Sequence, residues 1–207
     1  MTDKRVDIKA DNIFIKFRDR SLIESGYLAK VPVPHQDRDE ARYTPVPSAS
    51  LRRFYFGEAD SRKVAEFYIA LGDWGVSSWA TRHLTEHIQP VALRAPEVLI
   101  EAPWDATTDW WNLGALLLEV YRAVRMFDGR VGPDGHYEVK EHLVEMVDLF
   151  GPFPKGLLKK GNPNMVQSIF DDEGRVKDSP PIGRPPLASE AFMPGLSQEA
   201  RTSLARF

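Results

Sequence analysis

The longest apolar pattern of helical period in this chain begins at Thr107, and it constrains the fold more than any other feature. The opening residues, Thr107, Thr108 and Asp109, have side chains that favour the start of a helix. Apolar residues then recur three or four positions apart, at Trp110, Leu113, Leu117, Tyr121 and Val124. Because apolar groups flank most sides of the segment, the pattern predicts a buried central helix and a mainly helical fold.

Two further segments are predicted to be helical. Residues Glu138 to Phe150 place apolar side chains on one face, and Gly151 and Pro152 end the pattern. A last helix is predicted to begin near Ser197.

Two short strands are predicted to pair in a small β-hairpin. Residues 12–17 read NIFIKF, in which apolar residues alternate as in a half-buried strand. Residues 66–71 read EFYIAL and lead straight into the glycine-flanked turn at 72–75.

Residues 18–65 are polar and interrupted by proline, so they are expected to form a mobile insertion. Residues 151–195 are rich in proline and glycine and are expected to be irregular.

Composition indicates one globular domain spanning residues 1–207. Of the 207 residues, 43% are hydrophobic and 28% are charged, close to the average for globular proteins. The net charge of -3 provides no broad basic surface, so direct binding of nucleic acid is not expected. The chain has no cysteine, and no apolar stretch approaches the roughly 18 residues of a membrane-spanning helix. We therefore expect an intracellular monomer, cytoplasmic or nuclear, with no membrane partner.

The segment DIKADN places three polar side chains that phosphoryl transfer needs immediately before the first predicted strand. A carboxylate, here Asp7, can accept the proton of an attacking hydroxyl group. A lysine, here Lys9, can offset charge on the transferred phosphoryl group, and an amide oxygen, here Asn12, can bind Mg²⁺. The spacing D-x-K-x-x-N is that of the protein kinase catalytic loop. Asp7 and Lys9 are therefore the candidate catalytic residues.

Three more short motifs follow in a fixed order. The turn Asp73-Trp74-Gly75 follows a strand, where its carboxylate can hold Mg²⁺ between phosphate oxygens. Ala95-Pro96-Glu97 comes next, and Asp109-x-Trp111-x-x-Gly114 opens the predicted central helix. Each motif alone arises by chance in many chains. Their order and their predicted contexts together favour a protein kinase in which Asn12 and Asp73 bind Mg²⁺ and ATP.

The chain resembles the C-terminal lobe of a eukaryotic-type serine/threonine protein kinase, of the SR-protein kinase family in the CMGC group. The resemblance is carried by DWGVSSWATRHLTEHIQPVALRAPEVLI and by EHLVEMVDLFGPFPKGLLKKG. It implies transfer of the ATP γ-phosphoryl group to Ser or Thr of a protein substrate, with Mg²⁺ as cofactor. It also implies Arg-Ser-rich substrates, an activation segment at residues 73–97 and a CMGC-type insert at 151–195.

Several positions depart from the family pattern. Arg5 stands where family members have histidine, two residues before Asp7. No glycine-rich phosphate loop precedes Asp7, so we expect the N-terminal lobe to be absent and the domain to be truncated at both ends. Glu97 is expected to lack the arginine with which family members pair it. The chain is thus expected to be an inactive fragment or a degenerate paralogue.

Two alternative functions fit parts of the sequence. His83, Glu86 and His87 match H-x-x-E-H, in which a helix presents two imidazoles to Zn²⁺ and the glutamate serves a peptidase as base. Pro90 lies close behind and favours a surface loop instead. The other alternative is a non-catalytic docking module for Arg-Ser-rich peptides, whose acidic surface would include Asp148, Asp171 and Asp172.

Overall fold

The computed structural model describes residues 8–30, 67–73, 75, 77–79, 82–131 and 135–206. The chain divides into two compact units: residues 13–72 form the smaller one, and residues 1–12 with 73–207 form the larger one. Within the described residues the fold is mainly helical with small antiparallel sheets, as the sequence predicts. No helix in this part of the chain combines the length and apolar character needed to cross a bilayer.

The smaller unit is built on an antiparallel hairpin. Strand β1 (Ile13–Phe17) pairs with strand β2 (Phe67–Leu71) in a register that places Ile13 opposite Leu71. The predicted hairpin is therefore confirmed. The apolar rings and branched side chains of both strands suit this pleated pairing.

The expected insertion at 18–65 is described only for residues 18–30. A π-helical segment, Leu22–Tyr27, runs there into the short helix α1 (Leu28–Lys30). The remainder of that prediction lies outside the described residues.

The larger unit carries most of the helices that the structure describes. These are α2 (Pro96–Leu99), α3 (Thr107–Arg122), α4 (Val139–Phe150), α5 (Lys155–Leu158), α6 (Pro163–Ile169) and α7 (Gln198–Arg206). Two 3-10 turns occur as well, at Ala10–Asn12 and Val91–Leu93. A short ladder pairs β3 (Arg130–Val131) with β4 (His136–Tyr137).

Helix α4 supplies the centre of the main core. It begins one residue after the predicted start and ends at Phe150, before Gly151, whose φ of 86° lies in the left-handed region that glycine adopts freely. Its buried residues, among them Leu143 and Met146, belong to one apolar cluster with buried residues of other segments, which include Leu99, Ile100, Met126, Phe127, Phe192 and Met193. The apolar period read from the sequence therefore identified the buried face of this helix correctly.

Helix α3 is long, as predicted, but the prediction that its apolar stripe is buried is wrong. The side chains of Trp110 and Leu117 are 60% and 45% exposed, and those of Tyr121 and Val124 are also exposed. The buried side instead carries small or polar residues along with leucines: Thr108, Asn112, Ala115, Leu116 and Leu118. Within the described residues, three members of the stripe, Trp110, Leu117 and Tyr121, line an apolar groove of about 480 Å³. Periodicity predicts an apolar face, but it does not identify what covers that face.

The start of α3 is also stabilised differently from the prediction. The carboxylate of Asp105 accepts hydrogen bonds from the backbone N–H and the hydroxyl group of Thr107, at 2.8 and 2.7 Å. The capping function of the first turn is therefore supplied two residues earlier than the sequence indicated.

The stretch 151–195, expected to be irregular, contains helices α5 and α6. Asn162 caps α6 through its side-chain oxygen, which accepts from the N–H groups of Asn164 and Met165, and Pro163 occupies the first helical position. The later part is anchored in the core by Phe192 and Met193, both fully buried. This stretch is thus partly helical and is fixed to the core at its far end.

Candidate active site

The candidate magnesium ligands Asn12 and Asp73 flank the two strands of the hairpin. Asn12 directly precedes β1, and Asp73 lies two positions after β2. The register that pairs Ile13 with Leu71 is antiparallel, so both residues stand at the same end of the hairpin. Strands distant in sequence thus bring together two residues that the motifs singled out separately.

Asn12 closes a tight turn that also contains Lys9. The backbone N–H of Asn12 donates to the carbonyl oxygen of Lys9 at 3.0 Å, which forms the 3-10 turn Ala10–Asn12. The residue is only 2% exposed, whereas Lys9 is half-buried. Asp7, the candidate base, lies outside the described residues.

Asp73 adopts an unusual backbone conformation in an exposed turn. Its φ of 54° lies in the left-handed region, which few residues other than glycine occupy, although aspartate tolerates it better than most. One carboxylate oxygen accepts a long hydrogen bond of 3.4 Å from the N–H of Gly75. Trp74 between them lies outside the described residues. Asp73 itself is exposed, so its carboxylate is accessible to a cation.

The donor set at this end of the hairpin fits Mg²⁺. One carboxylate and one amide oxygen are hard oxygen donors, and Mg²⁺ is commonly held by one or two protein carboxylates while waters and substrate phosphates complete its shell. The described residues contain no group of three or more His, Cys, Asp or Glu side chains that could hold a metal. A site that relies on phosphate oxygens needs no such group.

Glu97 lies in α2 and faces the apolar groove beside α3. Burial raises the pKa of its carboxyl group above the usual value, and the negative charge of Asp105 acts in the same direction. Among the described residues Glu97 forms no salt bridge. Arg201 does not serve as its partner, because it pairs with Glu190 and donates to the carbonyl of Leu196.

The arrangement of residues 83–87 does not support the zinc alternative. The motif requires a helix that presents two imidazoles on one face, but these residues form an irregular loop. His83 instead contacts Glu86 at 3.2 Å, and its ring stacks on Trp104 with centroids 3.8 Å apart. The peptidase hypothesis lacks its geometric basis here.

Sequence reasoning missed two amide side chains, those of Gln89 and Asn112. They join the segment before α2 to α3 by a hydrogen bond. Asn112 is fully buried in α3, and Gln89 donates a hydrogen bond to it at 2.6 Å. The available signal was a single asparagine within the apolar pattern of the predicted helix. A buried amide of this kind needs hydrogen-bond partners, but the sequence does not reveal which ones.

Comparison with known proteins identifies kinases as relatives. No protein-family model matches the chain. The serine/threonine-protein kinase SRPK of Physarum polycephalum is 30% identical over 118 residues, which are 56% of this chain and 27% of that protein. SKY1 of Saccharomyces cerevisiae is 31% identical over 113 residues, 53% of this chain and 14% of that kinase. Human CLK1, a dual specificity protein kinase, is 26% identical over 121 residues, 58% of this chain and 22% of the kinase.

The chain therefore spans less than a third of the length of these kinases. The similarity nevertheless extends over more than half of its own residues. It agrees with the resemblance that the motifs indicated. The chain is thus similar to protein kinases of the SRPK, SKY1 and CLK types, in the CMGC group.

Proposed function

We propose that this chain carries the metal-binding and catalytic-loop part of a serine/threonine protein kinase. The reaction is transfer of the γ-phosphoryl group of ATP to a Ser or Thr hydroxyl group of a protein, with Arg-Ser-rich proteins as the substrate class. The observation that carries the proposal is the hairpin register, which places Asn12 and Asp73 at one end of two paired strands. Kinase relatives over more than half of the chain support it.

Each candidate residue has a chemical role in this proposal. Asp7 accepts the proton of the attacking hydroxyl group, and Lys9 offsets negative charge on the phosphoryl group in transfer. Asn12 and Asp73 are the residues that would hold Mg²⁺. When bound, the ion supplies positive charge that neutralises phosphate oxygens. The chain's own contribution is mainly positioning, since Asn12 directly precedes β1 and Asp73 follows β2 by two positions, beside the paired residues Ile13 and Leu71.

Removing the Asp73 carboxylate is expected to abolish most metal binding. Mn²⁺ replaces Mg²⁺ as a probe, because free Mn²⁺ gives an electron paramagnetic resonance signal that decreases on binding. With ADP present, Asp73→Asn should weaken Mn²⁺ binding by about tenfold or more, since a charged ligand is lost. The matched control is Asp11→Asn, an exposed aspartate in the neighbouring turn. Equal affinity in wild type and Asp73→Asn would contradict the proposed site.

The docking alternative concerns a groove between α4 and the segment after α6. Its acidic residues are partly engaged within the protein, because Asp148 accepts from the N–H groups of Gly183 and Arg184, each at 2.9 Å. Asp171 likewise accepts from two backbone N–H groups of its own loop. Arg175 and Lys177 line the same groove. Three aspartates, Asp148, Asp171 and Asp178, thus line the groove with two basic residues, and the docking module stays a hypothesis.

An assay with Mg·ATP and an Arg-Ser repeat peptide separates the two functions. The 207 residues contain no G-x-G-x-x-G segment to cover the phosphates, so we expect no phosphotransfer from these residues alone. Clear transfer above background would contradict that expectation. Peptide binding without transfer that weakens steeply with salt would select the docking module instead.

A further inference from the structure

Gln89 is held in a left-handed backbone conformation by the hydrogen bonds of its own side chain. Its φ is 70°, which is uncommon for a residue with a β-carbon. The side-chain oxygen accepts from the N–H of Ala95 at 2.8 Å. The side-chain nitrogen donates to the carbonyl oxygen of Thr108 at 3.0 Å and to the side-chain oxygen of Asn112 at 2.6 Å. One amide thereby joins the segment before α2 to the first turns of α3.

Asn112 extends this connection to the candidate catalytic loop. Its side chain is fully buried, and its nitrogen donates to the carbonyl oxygen of Ile8 at 3.4 Å, across 104 positions of sequence. Ile8 is followed by Lys9, whose own carbonyl accepts from Asn12 in the 3-10 turn. The two amides therefore form a continuous hydrogen-bonded path from Ala95 through Gln89 and Asn112 to the start of that turn.

Asn112 is fully buried and Gln89 is half-buried, and such an amide pair stabilises a fold little compared with apolar groups that could fill the same space. Its desolvation offsets most of the hydrogen-bond energy, whereas an unmade bond would leave a buried polar atom at substantial cost. Such a pair does fix the relative orientation of the segments that it joins, because only one arrangement satisfies every donor and acceptor. The position of Gln89 and Asn112 between three segments points to orientation as their role.

We propose that Gln89 and Asn112 are positioning residues that hold the Lys9–Asn12 turn in place relative to the segment 89–97. The proposal deepens the proposed kinase function and rests on it for the metal-binding readout below. The first readout, hydrogen exchange at the Asn12 amide, measures the turn directly and does not depend on the proposed kinase function. Asn112 acts by donating to the Ile8 carbonyl, and Gln89 acts by donating to Asn112.

Two nearly isosteric substitutions test the path at separate points. Asn112→Asp keeps an oxygen for the Gln89 donor but loses the donor to Ile8. Gln89→Glu keeps an oxygen for Ala95 but loses both donors. Hydrogen exchange should accelerate about tenfold at the Asn12 amide in both variants, whereas the Ala95 amide keeps an acceptor in each and should exchange as in the wild type. Asn164→Asp, an exposed change at the start of α6, is the matched control and should leave both amides unchanged.

A second readout separates positioning from a loss of stability. The affinity for Mn²⁺ with ADP should fall several-fold in Asn112→Asp, but not in Val144→Ala, which removes buried methyl groups from α4 without touching the path. If Asn112→Asp fails to fold, the Gln89→Glu variant tests the positioning role instead. Gln89 is only half-buried, so its substitution should disturb folding less.

The outcomes distinguish the two proposals. Unchanged exchange at Asn12 in both variants overturns the positioning role, as does accelerated exchange with Mn²⁺ affinity equal to wild type. Accelerated exchange in a protein whose wild type binds no Mn²⁺ supports the hydrogen-bonded path and overturns the proposed kinase site.

Discussion

Phe127→Ala is expected to lower the free energy of unfolding by about 3–5 kcal/mol. The ring is only 1% exposed, and its centroid lies 5.9 Å from that of Trp111 and 5.4 Å from that of His142. Truncation therefore removes a large apolar surface and leaves a cavity between α3 and α4. Because domains are typically stable by only about 5–15 kcal/mol, this loss is a large share of the total stability.

The matched control is Phe150→Ala. This ring belongs to the same aromatic cluster, with its centroid 6.1 Å from that of Phe127, but it is 48% exposed. Truncation of Phe150 should lower the free energy of unfolding by about half as much or less, because folding buries less of this ring. Urea unfolding followed by tryptophan fluorescence measures both losses. Equal losses in the two variants would show that the core is not centred at Phe127.

Acidification is expected to destabilise the protein through His142. Burial lowers the pKa of this imidazole from its usual 6.5 to about 4, and the nearby charge of Arg94 acts in the same direction. The unfolded state therefore takes up a proton near pH 6.5, whereas the folded state does so only near pH 4. Stability is fully present above about pH 6.5 and falls as the pH drops towards 4, by about 3 kcal/mol in total.

Substitution by leucine tests this assignment. His142→Leu should remove most of the decline in stability between pH 6.5 and 4, whatever its effect at neutral pH, because no imidazole remains to be protonated. Burial raises the pKa values of Glu97 and Glu145, so these groups act in the opposite direction: their contribution is lost as the pH rises through the folded pKa. Both proteins contain them, so the difference isolates His142. An unchanged pH dependence in the variant would contradict the assignment.

Local patterns in the sequence predicted the elements whose side chains repeat regularly. The hairpin and α4 follow from alternation and from a helical period, each ended by a recognisable turn. The exposed stripe of α3 could not be predicted in this way, since an apolar face indicates only that some partner surface suits it. Helices α5 and α6 were missed because proline and asparagine at a helix start look the same in sequence as a turn.

The candidate site was accessible from sequence only as a set of separate motifs. Spacing singled out Lys9, Asn12 and Asp73 by residue type, and the strand pairing that relates two of them required a register that no local pattern defines. The Gln89–Asn112 connection was not predictable, because a hydrogen bond between side chains 23 positions apart depends on how two segments pack. The catalytic role of Asp7 stays a prediction, because this residue lies outside the described residues.

The most direct measurement is the relaxation of nuclear magnetic resonance signals by bound Mn²⁺. With ADP and a substoichiometric amount of Mn²⁺, the side-chain amide of Asn12 and the backbone amide of Asp73 should broaden together, and before signals elsewhere, because the proposed site would hold one ion beside both. Asp73→Asn should restore both signals, whereas Asp11→Asn should not. Broadening at only one of the two residues, or first at another carboxylate, would show that they do not share an ion.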